Sequence, residues 1–156
     1  MGTTTANYFL KFLGNNRDGS VGPQRNFSLA AGRSATFTDV LKSVFNLDSD
    51  YGAIQVGGSE DLVVLGQTST PGFGGTFGQS VPAMGGQDLI SPGKPRTIVA
   101  VRDDASFRTN LILCGTAEFV SVDVDVSLIS PDGATLGTKT LPSAAFRDDP
   151  GEPGGP

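Results

Sequence analysis

The sequence predicts an all-β domain, an antiparallel β-sandwich with one short helix near residues 38–46, and three observations lead there. The 22 Gly and 10 Pro make up about a fifth of the chain, against an average nearer 12%. Gly supplies positive φ at tight turns and Pro fixes φ while removing a donor, so the chain is cut into many short elements. The run Val120-Ser121-Val122-Asp123-Val124-Asp125-Val126-Ser127-Leu128 alternates apolar and polar without a break, the period of a half-exposed strand. Only one segment carries a helical period, and it is about two turns long. At 156 residues the chain has the length of one domain able to bury a core without disulfides or metal. Residues 1–147 are assigned to that domain.

Taken in order, Tyr8-Phe9-Leu10-Lys11-Phe12-Leu13 is predicted as a strand on its aromatic content, and Gly14-Asn15-Asn16-Arg17-Asp18-Gly19 as the turn after it. Phe27-Ser28-Leu29 opens a second strand, and Ser34-Ala35-Thr36-Phe37 extends again after a turn at residues 30–33. Val40, Leu41, Val44 and Phe45 fall on one face of a helix that Thr38 or Asp39 can cap. So short a helix must pack on a sheet to persist. Ala53–Val56 and Leu62–Thr68 are the next strands, and residues 69–95 read as a long loop. Thr97–Val101 and Thr109–Cys114 follow as strands around a turn at Arg102-Asp103-Asp104-Ala105. The alternating run places Asp123 and Asp125 outward, and Pro131-Asp132-Gly133 turns it into a returning strand, Leu136–Leu141. The order strand, Asp-Gly turn, strand, small residues, Phe occurs at both ends of the chain, which suggests equivalent hairpins there. Residues 148–156 carry no apolar anchor and are expected to form a flexible Pro/Gly-rich tail.

Composition excludes several chemistries. The chain has no His and no Trp, so neither a Ser-His-Asp triad nor a histidine zinc site can be assembled from it. Cys114 is the single cysteine, which forbids an intrachain disulfide and reads as a small buried apolar residue. A net charge of −5 with Lys and Arg scattered singly argues against nucleic acid, and no apolar run reaches the ~20 residues of a membrane-spanning helix. The opening residues lack the basic and apolar regions of a signal peptide. Gly72-Phe73-Gly74-Gly75-Thr76-Phe77-Gly78 misses the spacing of a dinucleotide loop and has no phosphate-binding Lys. No cofactor is expected.

Acidic pairs at Asp48/Asp50, Glu60/Asp61, Asp103/Asp104 and Asp123/Asp125 have the residue types for glycoside hydrolysis or calcium, but neighbouring carboxylates on turns are ordinarily just solvated. The remaining candidates lie in the Gly/Phe-rich segment 70–83. Phe73 and Phe77 can stack on a sugar or enter a neighbouring subunit, with Gln79 as a polar partner, although an aromatic so placed more commonly folds back to cap its own core.

Leu62-Val63-Val64, Gly66-Gln67-Thr68-Ser69-Thr70-Pro71-Gly72, Gly75-Thr76-Phe77-Gly78-Gln79-Ser80-Val81-Pro82-Ala83 and Phe107-Arg108-Thr109-Asn110-Leu111-Ile112-Leu113 resemble a β-sandwich module repeated in secreted bacterial proteins. The final hairpin and Thr38-Asp39-Val40-Leu41 fit the same module, so the resemblance spans most of residues 8–146. It implies an immunoglobulin-like fold and an extracellular or cell-surface setting, and it carries no enzymatic activity or ligand to transfer. In such modules the Arg-Thr-Asn-Leu strand opens the unit, whereas here it stands at Arg108–Leu111. Either the fold closes in permuted order or another chain supplies the opening strand, which predicts an oligomer by strand addition. The expected function is a non-catalytic structural or adhesive module with itself or another protein as partner. A carbohydrate-binding module using segment 70–83 is the alternative.

Overall fold

The computed structural model describes residues 3–107, 109–115 and 122–143. Among them the chain is mostly β, with seven strands in antiparallel sheets and one short helix. Its contacts divide into two units, Met1–Glu60 with Ile112–Pro156, and Asp61–Leu111.

In the first unit, β1 (Ala6–Gly14) is the central strand of a three-stranded sheet, flanked by β2 (Gln24–Leu29) and β3 (Gly52–Gly58). Tyr8 stands opposite Phe27, and Leu10 opposite both Arg25 and Val56. Alternation along β1 sends Ala6, Tyr8, Leu10 and Phe12 to one face. There Leu10 and Phe12 meet Phe45 of the helix α1 (Val40–Phe45) in a small core, with Phe27, Phe37, Val40, Leu41, Val44, Leu47 and Val56 packed around it. The Phe12 and Phe45 rings lie 5.9 Å apart and tilted, while Phe27 stacks on Tyr8 at 5.4 Å and touches Phe37 at 5.0 Å.

The helix is fixed at both ends. Asp39, not Thr38, is the N-cap, its carboxylate accepting from the Lys42 N–H at 3.3 Å. At the other end Asn46 adopts the left-handed conformation, Asn46 N–H donates to Lys42 C=O and Leu47 N–H to Leu41 C=O, so two of the last helical carbonyls are satisfied around a left-handed residue. Leu47 packs against the core.

The strands β4 (Leu65–Gly72) and β5 (Gly75–Pro82) form a two-stranded hairpin in the second unit, and β6 (Val124–Ile129) and β7 (Thr135–Leu141) form another in the first. The β6–β7 turn matches expectation: Gly133 N–H donates to Ser130 C=O, and Gly133 sits at φ 90°. A bulge between Leu128 and Ile129 absorbs the extra residue Leu136. Asp125 is outward, as alternation requires, and Asp123 is exposed just before β6 begins.

Several expected elements differ. Ser34–Phe37, Thr97–Val101 and Thr109–Cys114 are not strands. Ala100 at φ 61° breaks the extended conformation of the second, and Ile98 and Val99 are exposed without a strand to pair with. The expected strand at 62–68 begins only at Leu65. Residues 69–82, expected as loop, belong to the β4–β5 hairpin, whose glycine and hydroxyl side chains conceal a regular ladder. Arg108 and most of the small-residue and Phe146 echo near the C-terminus lie outside the described residues, as does the 148–156 tail.

Candidate functional site

The hairpin carrying Phe73, Phe77 and Gln79 is built on an uninterrupted register from Leu65↔Pro82 to Gly72↔Gly75. Phe73 and Gly74 form its two-residue turn, and Gly74 at φ 85° takes the sign required at the third position of a type II turn. Directly opposed residues share a face. One face therefore carries Thr68 and Thr70 from β4 with Phe77, Gln79 and Val81 from β5. Phe77 lies diagonally across Gly72, where an added Cβ would come within 2.3 Å of the ring. The structure thus brings Phe77 and Gln79 together and leaves Phe73 apart at the tip, fully exposed. Among the described residues neither Phe caps a core, and Phe77 is 66% exposed.

Every residue of β4 and β5 is exposed, and no described residue of the second unit is buried. Nor does any residue from Leu62 to Gln87 carry a charge. That run of neutral residues is legible in the sequence, but its meaning depends on the ladder that exposes it.

Asp48, Asp50, Asp104, Asp123 and Asp125 of the acidic pairs each make local structural contacts. Asp48 pairs with Lys42, and Asp50 holds Arg17 at 2.7 Å while accepting from its neighbour Tyr51 N–H. Asp104 accepts from Ser106 and Phe107 N–H groups and pairs with Arg102, contacts that hold its carboxyl below the ordinary carboxylate range, the Ser106 bond foremost. Arg102 in turn lies 4.1 Å over the Phe107 ring, so residues 102–107 form a locally cross-linked turn. Asp125 accepts from Thr140 Oγ1 at 2.6 Å and Asp123 from Ser143 N–H at 2.8 Å. Among the described residues no three His, Cys, Asp or Glu side chains meet in a group suited to a metal ion. Cys114 is exposed rather than buried, because its segment joins no ladder, and partial desolvation pushes its thiol pKa up. A raised pKa keeps the sulfur protonated at neutral pH and unreactive.

No family model, no curated protein and no solved structure matches the chain. Among the described residues no helix is long and apolar enough to cross a membrane.

Proposed function

We propose that this chain is a non-catalytic structural module of immunoglobulin-like sandwich type that associates with further copies of itself through the β4–β5 hairpin. One observation carries the reading: an ordered, uncharged two-stranded ribbon with both faces exposed. An isolated two-stranded ribbon is marginal in water, and its outer edges present unpaired N–H and C=O groups. Proteins that avoid edge pairing guard such strands with Lys or inward charges, and none is present between Leu62 and Gln87. On a chain of net charge −5, a neutral ribbon is also where two copies approach with least repulsion. Pairing about a two-fold axis would give each copy the added strand it lacks.

The test is sedimentation equilibrium over a concentration series. The wild type is expected to run above its 16.0 kDa chain mass, and Thr68→Lys to return to it by placing a charge on the ribbon. A wild type that stays at chain mass throughout sinks the proposal.

A second reading, sugar binding by the hairpin, draws support from the shared face of Phe77, Gln79, Thr68 and Thr70. It would show as polysaccharide binding that Phe77→Ala abolishes.

A further inference from the structure

The three-stranded sheet has a second face, opposite the core. Alternation sends Asn7, Phe9 and Lys11 of β1 there, with Ser28, Asn26 and Gln24 opposite them on β2 and Gly57 and Gln55 on β3. Phe9 takes no part in the core cluster. Its ring lies down on the sheet over Gly57, where an added Cβ would stand 2.5 Å from Cε1 and Cζ. Glycine at 57 is therefore what allows an aromatic ring to lie across the sheet surface.

Beside that ring runs a shallow groove of about 670 Å³. Asn7, Phe9, Asn26, Ser28 and Gly57 of its lining belong by register to the second face, while Tyr8 and Phe27, which also line it, pack against the core on the other. Ser59 closes one end, exchanging hydrogen bonds with the Asn7 backbone: Asn7 N–H donates to Ser59 Oγ at 3.2 Å and Ser59 N–H to Asn7 C=O at 2.9 Å.

The polar groups around the groove are oriented and uncharged. Gln24 donates to Asn26 Oδ1 at 3.2 Å, which turns the Asn26 NH₂ outward as a donor. Among the described residues the Asn7 side-chain amide and the Ser28 hydroxyl have no protein partner. The sheet positions on this face include no carboxylate, and their one cation, Lys11, donates to Ser20 C=O at 2.9 Å.

We infer that this face binds a neutral carbohydrate, whose apolar C–H face rests on the Phe9 ring while its hydroxyls exchange hydrogen bonds with Asn7, Asn26 and Ser28. The chemistry selects that class. An anionic ligand finds no free cation here, a cationic one finds no carboxylate, and a peptide strand adds at a sheet edge and not on a face. A polyol has both the apolar surface and the dense donors and acceptors that an aromatic ring among amides complements. The inference is independent of the β4–β5 hairpin and of self-association.

Affinity electrophoresis of the full chain through gels containing soluble neutral β-glucan, mannan, xylan or galactan tests it. Retardation by at least one polymer is expected. Phe9→Ala and, as a surface change that spares the fold, Asn26→Ala are each expected to weaken it by about tenfold or more, the scale of a lost stacking or paired polar contact. Phe77→Ala is expected to bind like the wild type. No retardation by any of the four polymers, or retardation unchanged in both Phe9→Ala and Asn26→Ala, overturns the inference. So does loss in Phe77→Ala with none in the sheet variants, which would move binding to the hairpin.

Discussion

At the scale of single residues, the positions that matter most are those where a small side chain permits close approach. Gly52 pairs with Gly14 at the end of the β1–β3 ladder, and a Cβ there would fall 2.1 Å from Leu13 C=O. Backbone cannot yield as a flexible side chain can, so Gly52→Ala must shift the ladder end. The expected cost is about 1–3 kcal/mol, read from the urea midpoint at unchanged slope. A midpoint equal to the wild type would show that the strand end moves freely. Gly57 works by a different means, seating the Phe9 ring, and its effect belongs to binding as well as packing.

Among the elements, α1 shows how a six-residue helix persists. Its propensity cannot sustain two turns, so the structure relies on caps and on Phe45, Leu41 and Val44 packed against the sheet. Asp39 acts as cap while holding a left-handed backbone at φ 49°, two demands that separate on substitution. Asp39→Ala removes the cap and keeps the strain, and about 1–2 kcal/mol of destabilisation is expected. Asp39→Gly removes the cap and relieves the strain, so it should cost less. Thermal melts of the pair decide, and equal losses would assign the whole effect to the carboxylate. The ion pairs Lys42–Asp48 and Arg102–Asp104 are exposed and add little to these elements.

For the whole molecule, stability concentrates where burial does. Among the described residues only Ala6, Leu10, Phe12 and Phe45 are buried. Phe12 is the most deeply buried, at 2% exposure, so it anchors the contact between sheet and helix. Phe12→Ala is expected to cost about 3–5 kcal/mol, against a total of roughly 5–15 kcal/mol for an ordinary domain. Chemical denaturation followed by far-ultraviolet circular dichroism measures it. A loss below about 1 kcal/mol would mean that the core lies elsewhere. Among the described residues of 61–111 none is so buried, and Val63, Ile98, Val99 and Met84 are exposed. Self-association is the remedy proposed for the hairpin.

The sequence by itself determined the β character, the short helix with a cap at Thr38 or Asp39, the turn at Pro131-Asp132-Gly133, strands near 8–13, 27–29, 53–56 and 136–141, and a strand in the alternating run 120–128, of which the structure shows β6 from Val124. Those features rest on interactions within a few residues: apolar period, positive φ at Gly, and a carboxylate reaching a nearby N–H. Strand pairing was decided only by the tertiary structure, because a ladder needs a second strand at the right register. Thr97–Val101 has β-branched residues and no ladder, while Gly66–Val81 has poor strand propensity and a continuous one. The same reason governs the candidate sites. Phe73, Phe77 and Gln79 are close in sequence, but the hairpin register joins only the last two. Asn7, Phe9, Asn26 and Gly57 lie on three strands distant in sequence, and only pairing brings them to one face.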